Sequence, residues 1–153
     1  MSHLTTMNVS ITDLGALADA ADDLGMVMER ASSFKWYGRH VGDYPLPAGF
    51  TVDDLGQCEY RLKLKPDHPN LRPGLAPYEV GVCRRRDGKP GYVLLWDFWN
   101  GGYGLRDTVG EDGNRLRQGY SAAVTRRTLT AQGFMVREKT QADGRIVMQA
   151  VRA

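Results

Sequence analysis

The residues best suited to chemistry in this 153-residue chain fall in one run, Trp96-Asp97-Phe98-Trp99-Asn100-Gly101-Gly102-Tyr103-Gly104-Leu105-Arg106. In an extended strand Trp96 and Phe98 share one face, and Asp97 and Trp99 share the other. Trp99 and Tyr103 lie nearest the glycines. They are candidates to stack on a base or to anchor a protein interface, with Arg106 close enough in sequence to meet a phosphate. The plainer reading of Trp96 and Phe98 is core filling, with the glycines permitting a tight return. The run is no phosphate-binding loop, because it lacks the Gly-Lys-Ser/Thr ending.

A second candidate is the basic run Arg84, Arg85, Arg86 and Lys89. At a hairpin tip it could grip phosphates, although such a run is more often a solvated turn. Arg115, Arg117, Arg126 and Arg127 add charge further on. Metal chemistry has little to work with. His3, His40 and His68 are far apart, and Cys58 and Cys83 lack a close-spaced ligand pattern. The same two cysteines fit small buried hydrophobes in a reducing compartment. Asp53-Asp54 and Glu111-Asp112 read as solvated loop pairs, and no serine sits in a recognisable nucleophile motif. The expectation is therefore no catalytic residue, no metal and no cofactor.

Composition sets the frame for these side chains. Hydrophobic residues make up 42% and charged residues 25%, which is a globular balance and excludes wholesale disorder. No apolar run approaches the ~20 residues of a membrane span. The N-terminus has neither the basic start nor the apolar core of a signal peptide. A cytoplasmic protein with no membrane partner is expected. A net charge of +2 is too small to demand a nucleic-acid partner.

The elements that must hold the candidates follow from periodicity. Met7, Val9 and Ile11 alternate with polar residues as in a half-buried strand. Thr12 offers an N-cap hydroxyl to a helix whose Leu14, Leu17, Ala18, Ala21 and Leu24 share one arc; Gly25 suits its end. Met26-Val27-Met28 continues as a strand, completing a β-α-β start. From Cys58 to Lys65, apolar residues alternate with Glu59, Arg61, Lys63 and Lys65. Tyr78 to Arg84 and Tyr92 to Trp96 form a hairpin around Asp87-Gly88. A Gly-rich link from Asn100 to Gly113 leads to a second helix, about Asn114 to Gln132. Within it Arg127 falls inside the apolar arc, so it either carries its charge past the core edge into water or holds a buried anion. Phe134 to Lys139 and Arg145 to Val151 close the chain as a hairpin. The halves echo each other, Asp23-Leu24-Gly25-Met26-Val27-Met28 against Ala131-Gln132-Gly133-Phe134-Met135-Val136. One α+β domain over residues 1 to 153 is expected: a single, mainly antiparallel sheet with two helices on one face, in a pseudo-duplicated, ferredoxin-like arrangement.

Several of these segments resemble a known family. Met1-Ser2-His3-Leu4-Thr5-Thr6, Ile11-Thr12-Asp13-Leu14 and Asp23-Leu24-Gly25 look like the opening of the hypothetical chloroplast reading frame 35 family. Tyr92-Val93-Leu94-Leu95-Trp96-Asp97-Phe98-Trp99 is similar to its middle. Tyr120, Ala131 to Val136 and Asp143-Gly144-Arg145-Ile146 are similar to its end. Residues 31 to 57 and 66 to 77 then look like irregular insertions. The resemblance implies a small domain of unknown function, found in plastids, cyanobacteria, other bacteria and phages, and sometimes encoded near an AAA-type ATPase. It brings no catalytic residue. The expected function is a non-enzymatic adaptor acting through a protein partner, by way of the long loops and Trp99 and Tyr103. The alternative is a nucleic-acid- or nucleotide-binding accessory protein, phage-encoded and anti-defence, with Arg84, Arg85, Arg86 and Arg106 on phosphates.

Overall fold

The computed structural model describes residues 4–6, 10–39 and 45–152, the first three by backbone only. Five strands form one antiparallel sheet: β1 (Leu4–Thr6), β2 (Met26–Arg30), β3 (Tyr60–Leu64), β4 (Val80–Arg84) and β5 (Tyr92–Asp97), in the order β1-β5-β4-β3-β2. The expected strand residues Met7 and Val9 lie outside the described residues. Ile11 makes an isolated antiparallel bridge to Tyr92. Helix α1 (Leu14–Asp23) carries the chain from β1 at one edge to β2 at the other.

Asp13 is the N-cap of α1, its carboxylate accepting from the Ala16 amide at 2.9 Å. Thr12, the expected cap, instead gives its amide to the Tyr120 hydroxyl at 3.0 Å. A carboxylate is the stronger acceptor at the positive end of the helix. Helix α3 (Asn114–Ala131) lies beside α1. Ala16, Leu17, Ala20 and Ala21 face one core with Leu116, Tyr120, Ala123 and the sheet residues Leu62, Leu64, Val80, Val82, Leu94 and Trp96. Small residues set the helix spacing: a Cβ at Gly119 would stand 3.4 Å from that of Ala20. Both long helices thus cover one face of the sheet, as expected.

The opposite face is not left open. Phe34, Phe50 and Leu55, all from residues 31–57, bury against Cys83 and Leu95. The segment is stitched in place by Phe34 N to Gly56 O (3.0 Å) and Glu79 N to Lys35 O (2.9 Å). This corrects the expectation that the long irregular segment offers a free contact surface. Strand alternation gives β4 and β5 a second apolar face, and the segment's aromatics are what cover it.

The second half does not repeat the first. Among the described residues, strands β6 (Phe134–Thr140) and β7 (Ile146–Arg152) pair only with each other, in a separate ribbon. The expected single shared sheet with ferredoxin-like duplication is therefore not formed among the described residues. The ribbon packs on α3 instead: Ala122 faces Ile146 and Met148 across a groove, and Arg126 pairs with Glu138 at 2.8 Å. A short helix α2 (Leu105–Val109) also breaks the expected Gly-rich link.

A Cβ at Gly81 would come within 2.3 Å of the Phe34 ring. Gly81→Ala is expected to cost about 2 kcal/mol in urea unfolding, the usual scale of overpacking. Gly81→Ala with Phe34→Ala should cost less than the sum of the two single changes, because removing the ring removes the clash.

Candidate functional site

The glycine-rich run forms a tight turn of the wrong hand. Asn100 (φ 53°), Gly101 (69°), Gly102 (63°) and Tyr103 (54°) are all left-handed in succession. For an L-residue this costs roughly 1–2 kcal/mol each; glycine escapes the cost and asparagine tolerates it best. Tyr103, a bulky aromatic, has no such excuse. The sequence supplies permissive residues at the first three positions and is held by its surroundings at the fourth.

Those surroundings are specific. Arg72 Nη1 donates to Asn100 O at 3.0 Å, and Tyr78 N donates to Gly102 O at 2.9 Å. Asn70 Nδ2 reaches Thr108 Oγ1 at 3.1 Å, and that hydroxyl donates to Gly104 O at 2.9 Å. Asn70 itself is fixed by its amide on His68 Nδ1 (3.0 Å). His68 Nε2 must then carry the proton, which it donates to Leu24 O at 2.8 Å. Residues 66–77, expected as a free excursion, are thus the brace of the turn.

Beneath the turn, Asp97 is fully buried. Its carboxylate accepts from the Trp99 amide at 2.8 Å and from the Tyr37 amide at 3.2 Å, joining β5, the turn and the 31–57 segment. Around it stand four rings in edge or tilted contact: Tyr37–Trp99 (5.6 Å between centroids), Trp99–Tyr103 (6.1 Å) and Tyr103–Tyr78 (5.2 Å). Burial, helped by the nearby Asp97 charge, pushes the Tyr78 hydroxyl up to about 12. Trp99 and Tyr103 are part-buried against the core, Tyr37 is 47% exposed, and Arg106 on α2 is exposed. Trp96 and Phe98 join the core, as the plainer reading had it.

The other candidates lie elsewhere. Arg86 pairs with Asp54 at 2.8 Å and covers the Phe50 ring. Arg85 pairs with Asp87, whose carboxyl it holds down at about 2. Arg84 sits over Tyr92. Arg127 crosses α1 above Gly15 and pairs with Asp19 at 3.0 Å, its side chain 47% exposed, so it reaches past the core edge. Arg126 is tied to the ribbon, and Arg115 to the Asp107 carbonyl. Each of these arginines is thus engaged by a different partner.

Both thiols sit behind the sheet. Burial raises Cys58 to about 11 and Cys83 further; each donates to a carbonyl, of Ala31 and Gln57 respectively. Among the described residues no three His, Cys, Asp or Glu side chains group to hold a metal. No helix among them is long and apolar enough to cross a membrane.

Sequence reasoning missed Asp97, Tyr37 and Arg72. The first had a signal, since aspartate commonly bonds the amide two residues on. The other two depend on long-range folding. Comparison with protein-family models, curated proteins and solved structures gives no match to this chain.

Gly101→Ala, at φ 69° and with its Cβ 2.9 Å from Arg72, is expected to destabilise. The loss should be about 1–2 kcal/mol by urea unfolding, whereas Asn100→Gly stays within about 0.5 kcal/mol of native. At pH 8 the folded protein should react with a thiol reagent about 100-fold more slowly than a free cysteine, through the scarcity of thiolate, and recover on denaturation.

Proposed function

We propose that the chain is a non-enzymatic binding module that engages a protein partner through the surface around the Asn100–Tyr103 turn. The observation that carries this reading is the turn itself. A left-handed aromatic residue is retained against its conformational cost and held by Arg72, Tyr78 and Asp97. Backbone strain of this kind concentrates where a protein uses the geometry it imposes. Here it sets Tyr103 against Trp99, whose ring meets Tyr37, three residues before the exposed Arg106 of α2. Tyrosine, tryptophan and arginine are the residues that dominate protein interfaces. Leu75, 46% exposed, extends the apolar character into the bracing segment.

The pairing of Arg85 and Arg86 with Asp87 and Asp54 counts against a phosphate-gripping hairpin tip. Those carboxylates already occupy the donors a phosphate would need. An AAA-type ATPase is the candidate partner that the chain's resemblance to the reading frame 35 family suggests, and the cytoplasm is the matching compartment.

The test uses exposed positions, so that folding is preserved. Cross-linked capture from the native host is run with the native chain and with Tyr37→Ala/Arg106→Glu. A discrete protein partner, an AAA-type ATPase among those sought, is expected with the native chain. Recovery with the variant should fall about tenfold or more, matching the loss of one ~1.4 kcal/mol contact. Equal recovery by both chains, or no partner at all, overturns the proposal.

A further inference from the structure

A separate arrangement lies at the other end of β5. Arg30 ends β2, Tyr60 begins β3, Arg84 ends β4 and Tyr92 begins β5; Arg30 pairs across to Tyr60, and Arg84 to Tyr92. All four share the parity of Met28, Leu62, Val82 and Leu94, so they point to the helix-bearing face. The two rings meet edge-on at 6.2 Å between centroids. The Arg30 guanidinium stands 6.0 Å from the Tyr60 centroid, and that of Arg84 stands 5.7 Å from the Tyr92 centroid. Both arginines are exposed, and both tyrosines are part-exposed.

Most other arginines with a fixed position hold a carboxylate; among the described residues these two hold none. The acids next to Arg30 and Tyr60 in the chain are engaged elsewhere than at the guanidinium groups of Arg30 and Arg84. Glu29 pairs with Arg61 and Lys63 on the opposite face, and Glu59 takes the Arg84 backbone amide. Resting on a ring orients a guanidinium while leaving its in-plane N–H fork unused, the arrangement that suits a phosphate. The two cations are two strands apart, each step about 4.8 Å, with β3 and Tyr60 between them, and Arg84 lies two residues further along because Tyr60 pairs with Val82. Bases stack on such surface whatever their sequence.

We infer that Arg30, Tyr60, Tyr92 and Arg84 form a binding site for single-stranded nucleic acid, with the arginines on two phosphates of one strand and the tyrosines against bases. An acidic peptide would use the arginines but leave the tyrosine surface without a flat partner. A duplex would keep its bases from the rings. The site is independent of the partner surface around Trp99, which lies past the C-terminal end of β5.

The experiment is fluorescence anisotropy with a labelled short oligothymidylate, titrated from low to physiological salt. Binding is expected, with log K falling against log salt at a slope of about −1.4, two phosphates at about −0.7 each. Arg30→Gln and Arg84→Gln should each remove about 0.7 from that slope. Tyr60→Leu should weaken binding about tenfold with the slope unchanged, the mark of lost stacking. Tyr37→Ala/Arg106→Glu should bind as the native chain does, so failure here is distinguishable from failure of the partner reading. No binding at low salt, or native binding by Arg30→Gln/Arg84→Gln with an unchanged urea midpoint, overturns the site. So does equal affinity for duplex, or displacement by polyglutamate as effective as by unlabelled oligothymidylate.

Discussion

The arrangement of the molecule depends on one buried carboxylate. Asp97 stands at the end of β5 with no exposed surface and gives an oxygen to each of two amides, Trp99 two residues on and Tyr37 sixty residues back. A carboxylate is costly to bury unless its oxygens are bonded. Its two amides decide where the chain goes next. One turns the backbone into the left-handed run, and the other draws the 31–57 segment across the back of the sheet. Two features that look unrelated in sequence, the aromatic turn and the back layer, share this anchor.

The layering follows from strand alternation in β4 and β5. Val80, Val82, Leu94 and Trp96 turn to the helices, while Cys83 and Leu95 turn to Phe34, Phe50 and Leu55. A strand buried on both sides reads as a nearly continuous apolar run, and Tyr92-Val93-Leu94-Leu95-Trp96 is one. The α1–α3 contact uses a different device: alanines and Gly119 bring the backbones close, and Arg127 lies flat over Gly15 where a larger residue would collide.

Legibility in the sequence was uneven for physical reasons. Both long helices, the 80–97 hairpin and the terminal hairpin are visible because their periodicities are local. The cap at Asp13 differs by one residue from the expected Thr12, since two adjacent residues there can both cap. The ribbon's separation from the main sheet was not legible: Phe134, Val136, Ile146 and Met148 carry the same alternation whether they meet a sheet edge or a helix. Trp99 and Tyr103 stand out as candidates in the sequence because aromatics next to glycines are conspicuous, and the fold brings their rings into contact. Asp97, Tyr37 and Arg72 come together through the packing of distant loops on the turn, and Arg30, Tyr60, Tyr92 and Arg84 through strand register. The arginines at 84 to 86 look alike in sequence and differ in the fold, because Asp87 and Asp54 reach two of them and an aromatic ring reaches the third.

The ribbon of β6 and β7 has one more consequence. Among the described residues its interstrand hydrogen bonds are shared with no third strand, and α3 supports it from one side. A lone pair of strands is marginal in water. Its amides therefore open to solvent at a lower free energy than those of β4 and β5, which close only when the whole domain does. Two levels of cooperativity are the expected consequence, a core that opens as a unit and a ribbon carrying the exposed Met135, Val147 and Val151 that opens at lower cost.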